Sequence, residues 1–302
     1  LEFRRVLFRS LDQEKRNVPR ILRQGDECLI CHASSSTRNV PGHVVRSVYS
    51  DKTGQPILSS GSFRTDHTSP FEQRWGGWYV TGRHGKQQHM GNMIFAGRDE
   101  PEKADRSRGQ NVTRLSGKFE LENYLTPHSD IVALMVLEHQ AAAHNHLTHA
   151  NFATREALHY ERTLQKELGE PVGERLESTT RRIQSACEPL VEYLLFSEEA
   201  ALTARVQGTT PFASEFEARG VRDRKGRSLR ELDLQRRMFK YPCSYLVYSS
   251  SFAALPDEAR EYVLRRLRDV LSGADQSRRF EHLSAADRQA VREILEETLP
   301  GF

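Results

Sequence analysis

Long apolar segments are missing from this chain of 302 residues. Its longest unbroken apolar run covers residues 131–137, whereas a helix needs about 20 apolar residues to cross a bilayer. We therefore exclude a membrane-spanning helix for the residues present. Net charge is small as well, because 44 Lys and Arg against 41 Asp and Glu leave only +3. The charge balance gives no support for a nucleic-acid partner.

Several enzyme motifs are also absent. We find no Gly-rich phosphate-binding loop, no H-E-x-x-H zinc motif and no recognisable Ser–His–Asp arrangement. These absences remove support for a nucleotide-binding enzyme or a hydrolase. Mean hydropathy is low, at −0.65, but aromatic residues make up 8% of the chain. Disordered chains are usually poor in aromatic residues, so we expect a folded protein.

The first ten residues, LEFRRVLFRS, read as the translation of a sequencing-library adapter. We treat residues 1–10 as an artefact and leave them out of the fold prediction. They contain three arginines and one glutamate, so removing their +2 from the total of +3 leaves +1. We expect any secretion signal to lie upstream of the residues present here.

Two of the four cysteines carry the strongest signal. Cys28, Cys31 and His32 form a C-x-x-C-H pattern, which is typical of covalent c-type haem attachment. Residues i, i+3 and i+4 share one face of a helical turn, so both thiols and the imidazole can face one porphyrin. The two sulfurs can form thioethers with its vinyl groups, and His32 becomes the proximal iron ligand. The sequence therefore predicts one covalent haem c.

Two other uses of this motif stay open. A thioredoxin-like redox pair favours a strand before the motif, whereas residues 23–27 are polar. A structural zinc site needs four ligands, usually including a second cysteine pair. Cys187 and Cys243 are 56 residues apart and form no such pair. We expect these two cysteines to be small buried side chains.

Other stretches accompany the motif, and they are Val40-Pro41-Gly42, residues 74–82 (RWGGWYVTG), Glu138-His139-Gln140, residues 238–242 and residues 255–256. With these stretches, nearly all of residues 11–302 resembles a group of bacterial exported c-type cytochrome-domain proteins. The resemblance implies a haem protein in a periplasmic or exported setting, with a longer N-terminal part. It implies no particular reaction.

The chain divides into two regions. Gly and Pro recur from residue 11 to about 127, which favours turns and loops over long helices. Within this region, the apolar runs at 44–49 and 78–81 predict short strands. Residues 128–302 show helical patterns. The predicted fold class is therefore mainly α, with an irregular, turn-rich haem-binding domain at 11–127 followed by a helix bundle at 128–302.

Helix patterns in the second region have recognisable ends. Ser272-Gly273 predicts a C-terminal cap, and Ser284 with Asp287 resembles a capping box. The predicted helical segments are 130–168, 174–206 with a kink or break at Pro189, 228–251 bent near Pro242, 256–271 and 284–299.

A six-coordinate haem needs a second axial ligand, usually Met or His. Four candidates lie 52 to 61 residues after His32, and they are His84, His89, Met90 and Met93. We favour His89 or Met90. Trp75 and Trp78 are expected to line the porphyrin, because large flat rings bury much area. Arg74 and Arg83 are candidates for pairing with the haem propionates.

Histidines on the predicted 130–168 helix supply a weaker candidate. His139, His146 and His149 share one face, so His139 either reaches the haem or helps to bind a separate metal. Glu156 and His159 have the E-x-x-H spacing of di-iron bundles, but no second such motif lies on this helix.

These observations predict a periplasmic electron carrier with one covalent haem and a redox partner protein of unknown identity. One alternative is a haem enzyme, peroxidase- or oxidase-like, with an open distal site and Glu138 or His139 as the acid–base group. Another is a non-haem metal-binding or interaction module that uses the His139 helix.

Overall fold

The computed structural model describes residues 9–12, 14–23, 26–95, 101–118, 120–169 and 174–302. Seven α-helices and four short strands lie within these ranges. The helices are α1 (Asp26–His32), α2 (Ile131–Leu168), α3 (Glu177–Leu194), α4 (Phe212–Ala218), α5 (Ser250–Ala253), α6 (Asp257–Ser272) and α7 (Ala285–Thr298). The strands are β1 (Arg9–Leu11), β2 (Ile21–Arg23), β3 (Arg46–Val48) and β4 (Ser62–Arg64).

Short antiparallel pairs and turns make up most of the first region. Strand β1 pairs with β2, and β3 pairs with β4 so that Arg46 lies opposite Arg64. The strand predicted at 44–49 is present as β3, but the one predicted at 78–81 is wrong. Thr81 instead bonds to the start of α2, because its N–H donates to Ser129 O and its C=O accepts from Ile131 N–H.

Helix α2 confirms the longest predicted helix. Its 38 residues extend about 57 Å at 1.5 Å per residue. Asp130 caps the N-terminus, since one carboxylate oxygen accepts from the N–H groups of Val132 and Ala133. The other oxygen accepts from residues 209 and 210, which ties the start of α2 to a later loop. The helix ends at Gly169 in the left-handed conformation.

The two C-terminal helices also follow their predicted ends. Gly273 closes α6 with a positive φ of 82°. Ser284 and Asp287 form the predicted capping box at the start of α7, in which each side chain accepts from the backbone N–H of the other residue.

Two helix predictions fail. Helix α3 stops at Leu194 instead of continuing to 206, and the left-handed backbone of Phe196 and Glu198 cannot continue a helix. Most of residues 228–251 forms turns, 3-10 helix and the first residues of α5 rather than long helices. Acidic side chains here accept from nearby backbone N–H groups, as Asp233 does from residues 235 and 236. Such bonds compete with helix formation.

The core runs through both regions. Helix α2 packs on α3, α3 on α6, and α6 on α7. Trp75 and Val80 from the first region are each 1% exposed and belong to the same apolar core as the helices. A mainly α fold is therefore confirmed.

In the part of the chain that the structure describes, no helix has the length and apolar character needed to cross a membrane.

Candidate functional site

Helix α1 carries the whole C-x-x-C-H motif. Cys31 is exposed and Cys28 is half-buried, and both are free thiols. The α-helical backbone gives Cys28, Cys31 and His32 the i, i+3 and i+4 spacing that places side chains on one face. Two accessible thiols beside an imidazole fit the requirements of thioether-linked haem.

A backbone carbonyl orients the imidazole of His32. Its Nδ1 lies 2.9 Å from Gly42 O. A carbonyl can only accept, so Nδ1 carries the proton and the ring's metal-binding lone pair is on Nε2. Histidine ligands usually donate their other ring N–H to such an acceptor, which fixes the tautomer and the ring orientation. His32 therefore has the arrangement expected of a metal ligand.

Helix α2 holds the turn that contains the Gly42 carbonyl. Asn145 accepts from His43 N–H at 2.8 Å and donates to His43 O at 2.7 Å. Gly42 fits beneath this pair because it has no side chain, since a Cβ there would lie 2.2 Å from Asn145 Oδ1. A buried amide on α2 thus fixes the turn that orients the motif histidine.

Two more histidines, His43 and His144, lie near the motif and were not among the expected site residues. Their rings pack edge to face with centroids 5.5 Å apart, and both residues are exposed. Burial, His144 and then His32 each lower the pKa of His43. No local sequence pattern marks His43, because its position depends on the contact between the turn and α2.

Three of the four predicted distal ligands lie in the interior with partners there, and the fourth, Met93, is half-buried. His84 Nδ1 donates to Gln87 O, and its Nε2 accepts from Asn111 N–H. His89 Nδ1 accepts from Gly91 N–H, and burial lowers the pKa of His89 to about 3. Met90 is 3% exposed, and its sulfur accepts from the Ser47 hydroxyl at 3.6 Å. A distal ligand from this stretch stays a prediction.

The two tryptophans differ in their surroundings. Trp75 is buried and packs edge to face on Phe71 and His89. Trp78 is half-buried, and its Nε1 donates to Arg46 O. These partners all lie outside α1, so a role for either tryptophan in lining the porphyrin also stays a prediction.

A buried polar cluster surrounds His139, which is fully buried. A hydrogen bond of 2.8 Å joins its Nδ1 to Nδ1 of His67, and another of 2.8 Å joins its Nε2 to the Ser244 hydroxyl. Its ring stacks on Tyr193 and Phe196. Burial holds the pKa of both His67 and His139 well below the usual value. Both nitrogens of His139 are thus used inside the protein.

A buried ion pair lies next to this cluster. Arg74, 3% exposed, donates to Glu138 Oε2 at 3.4 Å and to the carbonyls of Ser69 and His67. Burial raises the pKa of Glu138 to about 7, against the lowering effect of Arg74. Arg74 is therefore committed to interior contacts, whereas Arg83 is exposed.

The proposed metal face on α2 is not assembled as one group. His146 is buried and its Nε2 lies 3.0 Å from the Arg38 guanidinium, while Glu156 and His159 are exposed. Within the residues described, no three His, Cys, Asp or Glu side chains are grouped so that they could hold one metal ion. A separate metal at His139 stays a prediction.

The remaining two cysteines are deeply buried, as predicted. Burial raises the pKa of Cys187 to about 11 and that of Cys243 to about 12. Neither forms a disulfide. Their thiols are therefore poor nucleophiles, in contrast to the accessible pair on α1.

No protein-family model, curated protein or solved structure matches this chain. Its function is therefore inferred from its own residues and their geometry.

Proposed function

We propose that this chain is a c-type haem protein that transfers single electrons. Cys28 and Cys31 would bind the porphyrin, and His32 would coordinate its iron from the proximal side. Each thiol would add across one vinyl group, with a new S–C bond at one vinyl carbon and the proton at the other. This addition needs no oxidant. The bound haem would supply reversible one-electron chemistry at the iron.

The hydrogen bond between His32 and Gly42 carries the proposal. It fixes the tautomer in which Nε2 carries the ring's lone pair, and a histidine that ligates a metal usually donates its other ring N–H in this way. Asn145 in turn fixes the turn through two bonds to His43. A redox cysteine pair would not require this support for a neighbouring histidine. A structural zinc site could use the same contact, but it needs four ligands, usually including a second cysteine pair, and the other two cysteines are buried in the helical core.

An electron carrier has more support than a haem enzyme. The alternative enzyme uses Glu138 or His139 as an acid–base group, but these residues are 1% and 0% exposed. Glu138 is paired with Arg74, and His139 with His67 and Ser244. These bonds are to other buried side chains, so we assign a catalytic role to neither Glu138 nor His139.

The proposed setting is periplasmic or exported, since covalent attachment prevents loss of haem by dissociation outside the cytoplasm. The partner would be another redox protein. The small net charge again gives no support for binding to nucleic acid.

The test is expression of the chain in a host with a thioether-forming maturation system, followed by a reduced pyridine haemochrome spectrum of the denatured protein. We expect one haem per chain, retained after denaturation. The Cys28→Ala/Cys31→Ala variant should retain none. Cys187→Ala is the matched control, and it should keep the haem because this buried thiol is far less nucleophilic.

The His32→Ala variant separates attachment from iron ligation. If attachment persists, the iron should change its spin state or coordination in the Soret region. A colourless wild-type protein with both α1 thiols free would contradict the proposal, as would haem attached equally well to the double cysteine variant.

A further inference from the structure

A cleft of about 730 Å³ opens on the helical region. Its walls come from residues that the haem proposal does not use. They are the segment after α3 around Phe196 and Glu199, the turn that carries Arg236 and Arg237, Pro242, and residues 278–282 before α7. A volume between about 300 and 1,000 Å³ is typical of small-molecule sites.

One wall of the cleft has an unusual backbone. Phe196 and Glu198 have φ angles of 59° and 61°, in the left-handed region that favours glycine. Ser197 lies between them and is buried. Strained non-glycine residues persist where the surrounding structure enforces them, and they cluster at ligand-binding and active sites.

Two buried polar atoms of this wall, Ser197 Oγ and Arg237 Nε, have no hydrogen-bond partner within the described residues. Buried polar atoms are nearly always paired, so two unpaired atoms beside one cleft favour a functional role for this wall.

The rim of the cleft offers cationic donors. The Arg236 and Arg278 side chains are 83% and 93% exposed, and their carboxylate neighbours Asp233 and Glu281 lie at 3.7 and 3.9 Å. These long contacts leave most guanidinium N–H groups available to another anion. Arg237 is more engaged, because it pairs with Asp287 at 2.6 Å.

Glu199 supplies a carboxyl group on the inner wall. It accepts from Met238 N–H at 2.7 Å. Burial raises the pKa of Glu199 to about 7, while Arg237 and Arg74 lower it and Asp233 raises it. Near neutral pH this side chain is therefore partly protonated and able to donate a hydrogen bond, as few surface carboxyls can.

We propose that this cleft binds a small organic carboxylate, with Arg236 and Arg278 contacting its charged group and Glu199 donating to it. Ala201 and Pro242 line the cleft and suit an apolar body on the ligand. The site is independent of haem, so its test does not require haem attachment.

Isothermal titration calorimetry of the full chain at pH 6 tests the proposal, with sodium benzoate as the probe and benzamide as its uncharged analogue. We expect benzoate to bind and benzamide to bind at least about tenfold more weakly. The Arg236→Gln/Arg278→Gln variant should weaken benzoate binding by about tenfold or more, as expected for loss of charged hydrogen bonds. Both side chains are largely exposed, so the fold should persist.

Arg181→Gln is the matched control, because Arg181 is 70% exposed and pairs at 3.5 Å with Glu177 away from this cleft. It should leave benzoate binding unchanged. The proposal is overturned if benzoate does not bind, or if the double arginine variant and the control bind it equally. Tighter binding of inorganic phosphate than of benzoate would overturn the assignment to carboxylates.

The pH dependence gives a second readout. Benzoate affinity of the wild type should fall as the pH rises from 6 to 8, because Glu199 loses its proton and then repels the ligand. Glu198, Arg279, Glu281 and His282 also line the cleft, and burial lowers the pKa of His282 below its usual value. Glu199→Gln keeps a hydrogen-bond donor and should remove this fall. An identical pH profile in the two proteins would contradict the role of Glu199.

Discussion

Replacing Gly42 by alanine tests how the C-x-x-C-H region is held to α2. The new Cβ would lie 2.2 Å from Asn145 Oδ1 and 3.1 Å from Thr37 Cβ, both closer than van der Waals contact. Asn145 must then move and give up its two bonds to the His43 backbone. Two hydrogen bonds contribute about 1 kcal/mol each, and overpacking adds about 1–3 kcal/mol. Together these contributions give an expected destabilisation of about 3–5 kcal/mol.

Thermal denaturation followed by circular dichroism gives the measurement. A loss of about 3 kcal/mol should lower Tm by roughly 6–9 °C in a chain of this size. A double-mutant cycle with Asn145→Ala isolates the clash, because removing the amide also removes the atom that the new Cβ meets. In the Asn145→Ala background, Gly42→Ala should therefore cost less than about 1 kcal/mol.

Gly54→Ala is the control for backbone effects alone. Gly54 has a φ of 83°, and a Cβ added there would have no other atom within 4 Å. Alanine at this position therefore meets only conformational strain of about 1–2 kcal/mol. Its effect should add to that of Asn145→Ala. If Gly42→Ala costs the same with and without Asn145, the clash is not the reason that glycine is needed.

Two further predictions concern stability. The raised pKa of Glu138 means that the folded state holds a proton more tightly than the unfolded state, so this group's contribution is full below about pH 4.5 and is lost as the pH rises through about 7. Glu138→Gln should flatten that part of the pH profile of unfolding free energy. The variant also leaves Arg74 without its charged partner, which lowers the stability at all pH values. An unchanged slope would refute the assignment to Glu138. Ser284→Ala removes the capping box of α7 and should cost about 1 kcal/mol, seen as a fall in Tm of about 2–3 °C. A Tm within error of the wild type would show that the cap contributes little.

The predictable parts of the fold are those with local causes. Asp130, Gly273 and Ser284 mark helix ends through bonds to residues within one turn, and all three ends are confirmed. The predicted helix at 228–251 fails because Glu231 and Asp233 bond to nearby backbone N–H groups, which stabilises turns in an apolar-rich segment. Apolar spacing alone does not distinguish a helix from such a series of turns.

The candidate site also has a part that the sequence reveals locally and a part that depends on contacts between distant residues. Cys28, Cys31 and His32 are recognisable because five adjacent positions contain the whole motif. The contribution of Asn145 is not recognisable, since it joins positions about a hundred residues apart. His67 lies in a short polar turn, and its bond to His139 exists only once that turn packs on α2.

The four cysteine thiols fall into two chemically separate pairs. A water-soluble alkylating reagent can reach Cys31 and, more slowly, Cys28, whereas Cys187 and Cys243 become accessible only when the helical core opens. Labelling kinetics of the folded chain thus follow the state of α1, and labelling under increasing denaturant follows the opening of the helices. One reagent can therefore monitor maturation and unfolding in the same sample.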